Sequence, residues 1–117
     1  MTLLNDVSAA LKEIDEHVYY GTAATHDKAK PWNYIVFSRE TLNRKQNKSG
    51  YSYVLNVAIV REDYIAEGLE DQVIEAVEGI AGVRMAEGGH EYFYGVKPNT
   101  RHTIEMAVLK FTYSRKL

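Results

Sequence analysis

The side chains most capable of chemistry in this sequence are its four histidines, His17, His26, His90 and His102. None is paired with another at i, i+4 or followed by a second ligand at metal spacing, so they read as surface or strand residues and predict no metal site. The most reactive-looking local group is His90-Glu91 beside Gly88-Gly89. An imidazole and a carboxylate adjacent in a strand point to opposite faces, which works against proton transfer between them. No serine sits in a nucleophile elbow, and Gly79, Gly82, Gly88 and Gly89 match neither a phosphate loop nor a dinucleotide turn. Cysteine is absent, which removes disulfides, thiolate catalysis and zinc-thiolate sites. The expectation is a protein without catalytic residues and without a cofactor.

Two charge runs remain. Residues 40–50 have no apolar period and carry Arg44, Lys45 and Lys48 among Asn43, Asn47, Ser49 and Gly50, which reads as a long, exposed, basic hairpin arm. A loop of about eleven residues exceeds the usual hairpin length and asks for a functional reason. The second run, Glu62, Asp63, Glu67, Glu70, Asp71, Glu75 and Glu78, contains no basic residue. Each run alone reads as solvated surface. Together they predict a head-to-tail contact in which Arg44, Lys45 and Lys48 of one copy meet Glu70, Asp71 and Glu75 of the next, the kind of contact that closes rings.

At 117 residues the chain forms one domain, 1–117. Its hydrophobic content of 45% and net charge of -2 suit a globular protein with no general attraction to nucleic acid or acidic membranes. Nine of its aromatics are Tyr, whose apolar body and polar tip suit half-exposed sheet faces and interfaces. Residues 1–14 lack a basic start followed by an apolar block, and no apolar run is long enough to span a bilayer, so the expected site of synthesis is the cell interior.

The organising stretch is 51–80. Tyr51, Tyr53, Leu55, Val57 and Ile59 share one face of a strand, and Val54, Ala58 and Val60 sit on the other, so a helix and a partner surface are both expected to cover it. Asp63 is the expected cap of the following helix and Tyr64 and Ile65 its staple, with Leu69, Val73, Ala76 or Val77 and Ile80 as its apolar stripe and Gly79 and Gly82 marking its end. Leu55, Val57, Ile59, Val73, Val77 and Ile80 form the predicted core. Thr2 caps a first helix expected to reach about residue 16, with the stripe Leu3, Leu4, Val7, Leu11 and Ile14. Strands are expected at 18–20, 32–39, 83–86 and 90–96. A last one, over 101–113, is read with a bulge because its apolar residues change face. The class is α+β, a mostly antiparallel sheet of about five strands with two helices packed on it, in the order α-β-β-β-α-β-β.

The strand Pro31-Trp32-Asn33-Tyr34-Ile35-Val36-Phe37, the polar arm, the 51–60 strand leading through Arg61-Glu62-Asp63-Tyr64-Ile65 into an acidic helix, and the terminal strand pair resemble small tail-terminator or tail-completion proteins of long-tailed bacteriophages and prophages. The resemblance spans nearly the whole chain and rests on element order, with no diagnostic motif. It implies an α+β subunit in a hexameric ring on the end of the tail tube, which stops tube growth and presents a surface to the head–tail connector protein. The implied partners are further copies of the chain, the tail tube protein and the connector, with no membrane and no sequence-specific nucleic acid. The implied location is the virion, after synthesis in the bacterial cytoplasm. A head-completion protein of the same region and a small-molecule-binding α+β domain are the alternatives.

Overall fold

The structure, a computed structural model, describes residues 2–22, 32–44, 50–88 and 90–116, with 41–44, 50, 51, 115 and 116 described by backbone alone. In chain order the elements are α1 (Leu3–Lys12), β1 (Val18–Tyr20), β2 (Tyr34–Arg44), β3 (Gly50–Glu62), α2 (Leu69–Glu78), β4 (Val83–Met85), β5 (Glu91–Val96) and β6 (Thr103–Lys116). The class is α+β, as expected, but the sheet has six strands and is mixed, because β1 runs parallel to β2. The order across it is β1-β2-β3-β6, and β4 and β5 both pair with the far edge of β6.

β3 and β6 form the backbone of the sheet. Their antiparallel register runs without a shift from Gly50 opposite Lys116 to Glu62 opposite Ile104. The expected bulge in the last strand is therefore not there. Both of its faces are apolar in one regular strand: Ala107, Leu109 and Phe111 are fully buried against the helices, while Met106 and Val108 are half-buried on the reverse face. The irregularity falls in β2 instead, between Arg39 and Thr41, and leaves Glu40 opposite no residue of β3.

Both helices pack on one face. Val7 and Leu11 of α1 and Val73 and Val77 of α2 are buried with Ile35, Phe37, Leu55, Val57, Ile59, Leu109 and Phe111. Five of the six predicted core residues are in this cluster, and Ile80 packs against it partly buried. α1 begins as expected, with the Thr2 hydroxyl accepting from the amide of Asn5. It ends at Lys12, earlier than expected, because Asp15 has other partners: its carboxylate accepts the His17 amide and pairs with Arg61 at 2.6 Å.

The start of α2 also differs. Its N-cap is Gly68 in the left-handed region at φ 89°, with no side chain capping it. Asp63 instead extends the β3–β6 ladder, donating its amide to the Thr103 carbonyl at 2.7 Å. Of the expected staple only Ile65 is buried, and its amide donates to the Glu105 carboxylate at 2.8 Å; Tyr64 is 72% exposed. The turn after α2 needs its glycine. Gly82 has φ +85°, and a Cβ there would approach the Ser114 carbonyl to 3.0 Å.

The molecule is elongated, with extents of 53 × 28 × 24 Å. A helix of ten residues spans only about 15 Å. The hairpin half of β2, β3 and β6 therefore extends beyond the helices.

Candidate interaction surfaces

The four β2–β3 residue pairs nearest the hairpin determine what becomes of the basic arm. Residues 40–44 and 50 are strand, not loop, with Thr41, Leu42, Asn43 and Arg44 opposite Val54, Tyr53, Ser52 and Tyr51. Arg44 is thus the last ladder residue of β2, whereas Lys45 and Lys48 fall outside the described residues, as do His26 and Pro31. Of the eleven residues read as a loop, 40–44 and 50 are therefore strand, and 45–49 lie outside the described residues.

The acidic helix divides by role. Asp71 and Glu75 are exposed, as a solvated or docking face requires. Glu70 is half-buried and accepts the Tyr92 hydroxyl at 2.6 Å, which ties the start of α2 to β5. That hydrogen bond, with lesser help from desolvation and from the charge of Glu70 itself, pushes the Tyr92 phenol up to about 12. Glu78 is likewise engaged, accepting the Met85 amide at 2.9 Å. Within one subunit Arg44, the described member of the basic run, lies far from the acidic helix. Tyr92 lies opposite Ala107 and Tyr51, the mate of Arg44, opposite Arg115, a separation of about 26 Å along β6.

The sites weighed for chemistry are dispersed. His90 precedes β5 and meets the Tyr92 ring edge to face at 6.1 Å, with its Nδ1 buried and lacking a hydrogen-bond partner. His17 is half-buried with its Nε2 3.4 Å from Glu16, and His102 is exposed. Among the described residues no three His, Cys, Asp or Glu side chains cluster as a metal site would require. Nor, among them, is any helix long and apolar enough to cross a membrane.

Polar contacts concentrate at the end of the sheet away from the hairpin. Lys97 reaches Glu62 at 2.7 Å, and the Asn33 side-chain amide donates to the same carboxylate at 3.0 Å while accepting the Glu62 amide. The hydrogen bond from Lys97 is the main cause that holds the Glu62 carboxyl below the ordinary carboxylate range, against an opposing desolvation. Arg61 braces the neighbouring strand, donating to the carbonyls of Tyr34 and Val60 as well as pairing with Asp15. Trp32, half-buried just before β2, is neither fully in the core nor free of it.

Two apolar surfaces stand out. One is the sheet face opposite the helices, where Tyr34, Val36, Ala58, Met106 and Val108 are half-buried, Val60 and Ile104 are buried, and no described helix lies over them. The sequence anticipated it, since both faces of 51–60 are apolar. The other is β5, all six of whose residues are exposed, including Tyr92 at 41%, Phe93 at 49%, Tyr94 at 67% and Val96 at 62%. Alternation pointed to the facing of these side chains, Tyr92, Tyr94 and Val96 together and Phe93 opposite. That β5 would be an edge depends on strand order, for which the sequence carried no signal. No protein-family model matches the chain, and no curated protein does.

Proposed function

We propose that this protein is a structural component of a long-tailed bacteriophage or prophage, a tail terminator that assembles as a homo-hexameric ring on the end of the tail tube. In this reading the ring stops tube growth and forms the surface that meets the head–tail connector protein, and the subunit works in the virion by contact and without catalysis. The observation that carries the reading is the sheet with two apolar faces and helices on only one of them. An apolar sheet face that no described helix covers can take a partner, and β5 adds contiguous exposed apolar surface of the kind that marks an interaction site. A component that stacks between tube and connector needs such surfaces on more than one side. The extended hairpin half of the sheet and the exposed Asp71 and Glu75 supply further contact area.

Electron microscopy of particles made without the protein tests this. Overlong or irregular tails are the expected result. Tails of normal length beside unattached heads would assign it to head completion, and normal particles would overturn the virion role altogether.

A further inference from the structure

Strand β5 has one bonded edge and one open edge, and the ladder identifies which groups face out. The Lys97 amide donates to the His102 carbonyl at 2.9 Å, and the same register continues through Gly95 opposite Ile104, Phe93 opposite Met106 and Glu91 opposite Val108. In an antiparallel pair hydrogen-bonded residues alternate, so Glu91, Phe93 and Gly95 bond to β6, and Tyr92, Tyr94 and Val96 turn their N–H and C=O groups outward. No described strand lies beside them. Natural edges are usually blunted by charge, proline, bulges or short length. This one has six residues in unbroken register with a single charge, Glu91.

We infer that two copies of this chain join through β5, antiparallel about a two-fold axis at Tyr94. In that register Tyr94 faces Tyr94 of the second copy and Tyr92 faces Val96, so every outward backbone group of β5 finds a mate. The side chains agree with the backbone. Phe93 covers Gly95 of the second copy, and the Tyr92–Val96 pair is aromatic against β-branched. Charge favours the same direction: β5 is entered through acidic Glu87 and Glu91 and left through basic Lys97 and Arg101, so antiparallel pairing sets Glu91 near Lys97 of the second copy at both ends, where Lys97, already paired with Glu62 of its own chain, is shared between two carboxylates. The other free edges of the sheet are poorer mates for β5: β1 and β4 have three residues each, the Tyr20 carbonyl is already taken by the Thr22 amide, and the Val83 and Met85 amides already donate to the Ile80 carbonyl and the Glu78 carboxylate. The contact is isologous, unlike the head-to-tail contacts of a ring, and does not rest on the tail-terminator reading.

The test uses the full chain, purified without tail components. Sedimentation at graded concentration is expected to show a species of twice 13.3 kDa. Tyr94→Pro removes an outward N–H while the bonds of Phe93 and Gly95 to β6 remain, so it is expected to sediment as a monomer where the parent is paired. Glu91→Lys, which sets a like charge beside the half-buried Lys97 of the second copy at both symmetry-related ends, is expected to weaken association about tenfold. Hydrogen exchange on the parent chain decides the matter even if the proline variant fails to fold. The amides of Tyr92, Tyr94 and Val96 should lose protection on dilution, and those of Phe93 and Gly95 should keep it. A parent that stays monomeric overturns the inference, as does association that leaves the three outward amides exchanging fast.

Discussion

The contact between Tyr92 and Glu70 joins an edge strand to a helix through two exposed or half-buried side chains, so its strength is best read from titration. Because the folded phenol is raised above its ordinary 10.0, the contact stabilises the protein fully below that pH and is lost as pH rises through about 12. Glu70→Gln, which removes the charge and keeps the shape, is expected to bring the Tyr92 ionisation back toward 10.0 in an ultraviolet titration referenced to a Tyr92→Phe chain. An unchanged midpoint would mean that the hydrogen bond does not form in solution. Glu62 behaves with the opposite sign. Its carboxyl is depressed by Lys97, so its contribution is complete above about pH 4.5 and disappears as pH falls through the lower folded value. Lys97→Met is therefore expected to flatten the decline of thermal stability between neutral and acid pH. A slope equal to the parent's would assign the acid sensitivity to other carboxylates.

At the level of elements, stability depends on α2 lying against β3 and β6. Val77 has no exposed surface and packs in the cluster with Val73, Leu55, Val57 and Leu109. Val77→Asp would place an unpaired carboxylate there, at a cost of several kcal/mol, comparable to the whole stability of a domain this size. Loss of the cooperative thermal transition is the expected result by circular dichroism. A parent-like melt would contradict the helix placement. The places where elements departed from their sequence pattern have specific causes. α1 stops when Asp15 turns to His17 and Arg61, and α2 starts after Gly68 because Asp63 is taken by the β6 ladder. The Arg61 pair and the β6 ladder are tertiary demands, while the Asp15–His17 contact is a local turn; the capping preference that Asp63 forgoes is worth only about 1 kcal/mol.

For the whole molecule, the contact that tests the ring is the one between the basic arm and the acidic helix of adjacent copies. The structure narrows the design of that experiment, because of the three expected acidic contacts Glu70 is committed to Tyr92, whereas Asp71 and Glu75 are exposed. Reversing Arg44, Lys45 and Lys48 to Glu is expected to impair assembly without unfolding the subunit. Adding Asp71→Lys and Glu75→Lys to that chain should partly restore it. Each exposed pair contributes about 0 to 1 kcal/mol, so charge tunes register and rate while apolar contacts supply most of the affinity. Analytical ultracentrifugation at low salt measures this, and no recovery in the combined variant would return both runs to solvated surface.

Sequence alone determined the features that depend on periods of two and 3.6. The apolar stripes of α1 and α2, the two apolar faces of β3 and the facing of Tyr92, Tyr94 and Val96 follow from where a backbone of known pitch points its side chains. The absence of cysteine was equally plain. Tertiary structure alone decided which strands are neighbours. A strand of three residues such as β1 can pair parallel or antiparallel with equal local propensity, and its place beside β2 is chosen by helix packing and chain connection. The same holds for Glu70, Asp63 and β5. Whether an acidic residue is solvated, a cap or a clamp, and whether an aromatic strand is interior or an open edge, depends on groups brought near from distant parts of the chain, and no local period encodes their arrival.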